Sequence, residues 1–155
     1  MSTDKKTNTI VGGLELLPMV KPLWEELREH HSRVSDDFAD SIRKRSFEDR
    51  ESEFFSKEHD TFRIELVQAE DETQPIGYCI SSVSNSLIGE VESLYVKEAY
   101  RKQHIGDLLM KNALAWMDEQ NVKSKRIGVM AGNDVLKFYE KYGFKVRTYI
   151  LQQID

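Results

Sequence analysis

The chain has 155 residues, 39% of them hydrophobic, with 27 acidic against 22 basic side chains for a net charge of -5 and a single cysteine, Cys79. That length suits one domain, residues 1–155 with 1–8 as a flexible tail, able to bury about 70% of its unfolded surface without any internal disulfide. The acidic balance argues against non-specific nucleic-acid binding and favours cationic ligands, while the polar opening MSTDKKTNT and the lack of any run near ~20 apolar residues argue against a signal peptide or a membrane span and make the cytoplasm the expected location.

Residues 9–16 (TIVGGLEL) read as a first strand interrupted at Gly12 and Gly13. Pro18 and Pro22 frame a helix entry, after which Val20, Leu23, Trp24, Leu27 and His31 recur at helical spacing. Ser35 with its two aspartates caps a second helix, whose ragged apolar face of Phe38, Ile42, Phe54 and Phe55 runs to about Lys57. From Thr61 the period falls to two. FRIELVQA, IGYCISSVS and LIGEVESLYV are separated by the turns AEDETQP and SNS, and three strands joined by turns make an antiparallel meander. Within the second of them Cys79 is expected as a buried small residue, not a reactive thiol.

The third strand passes through a short polar turn into an amphipathic helix carrying Leu108, Leu109, Ala113, Leu114 and Trp116 or Met117. First-turn N–H groups lack carbonyl partners and sit at the positive end of the helix dipole, so an anion docked there satisfies them. Arg101 and Lys102 add charge, and Gly106 lets a ligand approach the backbone closely. The segment Arg101, Lys102, Gln103, His104, Ile105, Gly106 and Asp107 is therefore a candidate site for a phosphate-bearing ligand. Residues 125–130 then read as a strand, 134–142 as a short helix and 144–152 as a last strand, where YILQQI is apolar enough to pair across a homodimer.

Two segments carry a resemblance. LYVKEAYRKQHIGDLLM resembles the signature of the GNAT superfamily of N-acetyltransferases, in which an Arg/Gln-x-x-Gly-x-Gly/Ala loop follows a strand; Arg101 and Gly106 match its ends, and His104 stands where the family has its first glycine. Downstream, NDVLKFYEKYGFKV is similar to a family segment that opens on an asparagine and closes on Tyr-x-Lys-x-Gly-Phe, here Asn133 and then Tyr139, Lys141, Gly143 and Phe144. The resemblance covers roughly residues 62–150. It implies an α+β fold, a mixed and mostly antiparallel central sheet flanked by helices in the order β-α-α-β-β-β-α-β-α-β, splayed open where the cofactor lies. It implies acetyl-coenzyme A as co-substrate and direct transfer of its acetyl group to a primary amine in a ternary complex. Backbone groups at a bulge, mapped by the resemblance to Leu94, Tyr95 and Val96, would hold the pantetheine and the acetyl carbonyl. Asn133 would face the pantetheine, although capping the short helix explains it as well.

Acetylating an amine needs a base for the ammonium proton and an acid for the departing thiolate. Glu90 and Glu92 are an i, i+2 pair on an otherwise apolar strand, sharing a face if no bulge intervenes. Read as residues they are either cross-strand ion-pair partners or a base that also attracts a cationic amine. The resemblance favours Glu92, where polyamine-acetylating members place a catalytic glutamate, over Glu90, where histone-acetylating members do. Tyr139 is by itself an aromatic packing residue between Phe138 and Tyr142; the resemblance makes it the acid. His104 either pairs with a phosphate or turns to solvent. His30 and His31 point apart on their helix, His59 is isolated, and no cluster has metal-ligand spacing, so no metal is expected. The acidic balance and the Glu92 match favour a small amine or polyamine as acceptor. A protein N-terminus or lysine as acceptor, and a non-catalytic acyl-coenzyme A-binding module, stay open as alternatives.

Overall fold

A computed structural model describes residues 6–154. Thr7–Gly12 (β1), Thr61–Ala69 (β2), Gly77–Val83 (β3) and Ile88–Val96 (β4) pair antiparallel in that order, and Ser124–Ile127 (β5) joins β4 in parallel. The mixed α+β sheet is the one the sequence leads one to expect. Period-two alternation decides which side chain goes where. Ile64, Leu66, Tyr78 and Ile80 bury against Leu17–Val34 (α1) and Phe47–Ser56 (α3) on one face, through Leu17, Val20, Leu23, Trp24, Phe47 and Phe54. Val67, Ala69, Cys79, Val83 and Val91 bury on the other face, against Leu109, Met110, Ala113 and Met117 of Ile105–Glu119 (α4).

One charge is folded into that second face. Glu65 is 1% exposed, and its carboxylate accepts both bonds available from Asn112 Nδ2 of α4, at 3.1 and 3.0 Å, with Arg63 Nη1 3.3 Å away. An ionised group this deep persists only because its lone pairs are occupied. It fixes α4 on the sheet, and with α4 the loop that precedes it.

Several boundaries differ from the sequence reading. β1 starts at Thr7, inside the segment 1–8 expected as a tail, and stops at Gly12, because Gly13 N–H donates to Glu15 Oε1 at 2.9 Å and turns the chain; residues 1–5 lie outside the described residues. The second helix is two helices, Ala39–Lys44 (α2) and α3, since the Ser46 hydroxyl accepts from Asp49 N–H at 3.1 Å and so starts a new helix instead of continuing one. Ser35 Oγ accepts from Phe38 N–H at 3.1 Å and caps only a turn. β5 ends at Ile127, three residues short of the expected strand, and the short helix is Leu136–Glu140 (α5). Residues 144–152, expected as a last strand, pair with no strand; Tyr149, Ile150 and Leu151 are 83, 91 and 93% exposed.

Candidate functional site

The cleft begins where two strands part. β4 and β5 are paired only from Ile88↔Ser124 to Val91↔Ile127; beyond Val91 the β5-facing edge of β4 is without a ladder, and a cavity of about 730 Å³ opens there. That volume is in the range of small-molecule sites. The register of β4 on β3 also shifts at this point: Ser93 lies opposite Ile80 but Val91 opposite Ser81, so Glu92 is the extra residue of a bulge. The bulge expected at Leu94, Tyr95 and Val96 is therefore upstream of them; those three pair regularly with Cys79, Tyr78 and Gly77, and all three line the cavity. An insertion in β4 depends on how its partner β3 lies alongside, which a single strand's sequence does not encode.

The bulge settles the two acids differently. Glu92 lines the cavity with its side chain 3% exposed; Oε2 accepts no hydrogen bond from any described residue, and the nearest cations are long pairs, Lys57 Nζ at 3.7 Å from Oε2 and Arg50 Nη2 at 3.9 Å from Oε1. Burial, and then the neighbouring Glu90 charge, push the Glu92 carboxyl up to about 6. Glu90 does not line the cavity and is held by Arg126 Nε at 2.6 Å. Arg50, stacked 4.2 Å over Phe54, also donates to the Glu92 carbonyl at 3.2 Å and braces the bulge from α3.

At the other end of the cavity the Arg101–Asp107 loop enters α4. Lys102 and His104 take left-handed conformations, φ 67° and 62°, and His104 is the N-cap of α4 without a side-chain cap bond, which leaves the first-turn amides pointing along the loop. His104 thus adopts at a strain the geometry glycine adopts freely. Its imidazole is 88% exposed and stands 3.4 Å from Asp107 Oδ2, turned outward from the loop. Arg101, Lys102, His104, Ile105, Gly106 and Asp107 line the cavity, and Gln103 does not. A Cβ on Gly106 would come 3.3 Å from Phe138 Cζ, so its small size is set by an aromatic ring of α5. Asp107 is drawn down to about 2 by the Tyr142 hydroxyl that bonds it and by Lys141 Nζ at 3.1 Å, and this joins the first turn of α4 to α5.

Tyr139 of α5 lines the cavity, and burial raises its phenol to about 12, so it stays protonated at neutral pH. Asn133 lies six residues before Tyr139, one short of the family spacing, and does not cap α5, whose N-cap is Val135. Its Oδ1 sits 3.2 Å from His30 Nε2 instead, across the cavity on α1. Next to it Gly132, φ 89°, packs so closely on α1 that a Cβ would meet the Val34 carbonyl at 2.2 Å. The expectation that His30 and His31 point apart is corrected here: both line the cavity, with ring centroids 6.1 Å apart. Burial and then the adjacent His30 depress His31 to about 4, which keeps it neutral. Leu27 and Val34 complete this α1 wall, which the sequence signals only through the Leu27–His31 stripe.

A strand pair splayed beside an amide-rich helix start, with a two-sided sheet behind it, is a fold that others share. Residues 20–144 match the model of the acetyltransferase (GNAT) family. The chain belongs to that family. It is accordingly an acyltransferase. Its fold is that of a GCN5-related N-acetyltransferase from Ralstonia eutropha (13% identity, TM-score 0.72, covering 96% of this chain and 99% of that one). It is also that of the PaiA N-acetyltransferase from Thermoplasma acidophilum, solved with coenzyme A (23%, 0.66, 92% and 91%), and of an aminoglycoside N-acetyltransferase, also solved with coenzyme A (13%, 0.61, 100% and 98%). No curated protein sequence matches the chain.

Proposed function

We propose that this acetyltransferase moves the acetyl group of acetyl-coenzyme A directly to a primary amine of a small molecule, a polyamine or similar cationic amine, in the cytoplasm. The carrying observation is the buried, unpartnered Oε2 of Glu92 at the cavity wall. A carboxylate in that setting attracts an ammonium and takes its proton, and its raised pKa of about 6 brings it nearer the operating pH, where a general base works best. The net charge of -5 supports a cationic acceptor.

The fit of the donor rests on this chain's own groups. The first-turn amides of α4 and the Arg101 and Lys102 side chains offer partners to a pyrophosphate, and the unladdered β5-facing edge of Glu92 to Val96 offers backbone groups to a pantetheine amide chain. Tyr139, kept protonated by burial, supplies a proton to the thiolate and recovers it from solvent. Glu92 acts at the amine, Tyr139 at the sulfur, and α1 with His30 and His31 bounds the acceptor side. Holding both reactants in register supplies much of the rate, up to about 7–11 kcal/mol in favourable intramolecular cases.

The test is the pH dependence of kcat/KM in three proteins. Wild type loses activity as pH falls through about 6, where Glu92 takes up its proton. Glu92→Gln shows no such inflection and loses ~10²–10⁴-fold, partly recovered at high pH where free amine is abundant. Glu90→Gln keeps most of its activity. A Glu92→Gln enzyme with the wild-type profile overturns the assignment.

A further inference from the structure

The last eleven described residues behave unlike the rest of the chain. α5 ends in a left-handed Gly143, φ 88°, with Gly143 N–H bonded to the Glu140 carbonyl and Phe144 N–H to the Tyr139 carbonyl, a helix stop that releases the chain in a defined direction. From there residues 144–154 contribute no strand to the sheet, and Val146, Tyr149, Ile150, Leu151 and Ile154 are 53, 83, 91, 93 and 59% exposed. A strongly apolar stretch rich in β-branched and aromatic residues has strand character, and leaving it in water forfeits both its burial and its backbone pairing.

The same chain has a vacant place for a strand. β5 is the last member of the sheet and pairs only with β4, so its outer row of N–H and C=O groups is open. The tail does not fill it, although both belong to one molecule. A nine-residue strand reaches about 30 Å, well beyond the four residues of β5. Both halves of the missing interface are thus present in each copy and unmatched in each copy, which is the condition a two-fold pair satisfies at once: two tails, two edges, no residual open strand.

We propose that the protein is a strand-exchanged homodimer, in which residues 144–152 of each copy add to the outer edge of β5 in the other. The exchanged strand lies beside Gly128, Val129 and Met130, which follow β5 directly and line the cavity, so each cleft is walled in part by the neighbouring copy. The inference is independent of the acceptor and of the catalytic roles given above.

Light scattering of the full chain tests it, together with amide hydrogen exchange over residues 145–152 at two concentrations. The expected mass is twice the 18.1 kDa of one chain, with tail amides protected at high concentration and losing that protection on dilution as the dimer separates. Tyr149→Asp with Leu151→Asp gives a monomer whose circular dichroism is that of wild type, because neither side chain packs within a single copy. A wild-type monomer overturns the proposal, and one with protected tail amides shows the tail docked on its own sheet. A dimer with unprotected tail amides, or one that survives the double substitution, overturns it equally, since another surface then holds the copies together.

Discussion

Glu92 is the residue on which stability and activity pull in opposite directions. Its folded pKa, about 6, lies above the ordinary 4.5, so the folded chain binds more protons than the unfolded chain between those values. Its charge therefore costs stability, fully above about pH 6 and not at all below about 4.5, by up to about 2 kcal/mol. Glu92→Gln should raise the melting temperature at pH 8 and leave it unchanged near pH 4, while disabling the enzyme; thermal melts at the two pH values check this. Glu90→Gln removes the like charge beside Glu92, so the acid limb of the rate profile should move below that of wild type. For Tyr139 the ring and the hydroxyl have separable duties. Tyr139→Phe keeps the packing and should cost less than about 1.5 kcal/mol of stability, but about 10²–10⁴-fold in kcat with coenzyme A affinity nearly unchanged. A phenylalanine variant with wild-type kcat in single-turnover measurements would remove the acid. Both side chains are legible in the sequence as types at the right spacing. That Glu92 and not Glu90 faces the cavity is not legible, because it follows from the bulge and from Arg126 taking Glu90.

At the scale of elements, the strand–loop–α4 unit is the part the sequence announces most plainly: an apolar strand, a basic turn and a helical stripe are local patterns, and each formed where its residues indicate. Its one strained residue gives a prediction. His104 sits at φ 62° with its ring in solvent, so His104→Gly should stabilise the protein by about 1 kcal/mol and tighten coenzyme A, both readable from thermal shift. The support beneath α4 is less visible in advance. Glu65 looks like a polar position of an alternating strand, and only the packing of α4 brings Asn112 to it. Asn112→Leu leaves that buried carboxylate short of donors and should cost about 3 kcal/mol in denaturant unfolding. The break at Ser46 was encoded, since serine is a better cap than helix interior, but competes with a continuous apolar face on either side. Asn133 and His30 meet across 103 residues of sequence, a contact no local pattern carries.

For the whole molecule, the architecture follows from a run of period-two segments between helical ones, and the departure is the C-terminal strand, whose residues have strand character but whose partner is not within the copy. The cleft unites the pieces: the α4 start for a phosphate, the β4 edge for an amide chain, and Glu92 and Tyr139 on either side of the point where acyl transfer would occur. Coenzyme A at a hundred times its Kd should stabilise the fold by about 2.7 kcal/mol, and pantetheine at the same concentration far less, because it lacks the phosphates that the loop is built to receive. Equal shifts would remove the loop from the donor site. The central claim is that this cleft transfers acetyl groups to amines, and it is tested most directly by measuring free thiol released from acetyl-coenzyme A across a panel of polyamines, aminoglycosides and peptide amines. Rapid thiol release with a small cationic amine, abolished in Glu92→Gln, is the predicted result; coenzyme A binding without thiol release for any amine in the panel would contradict it.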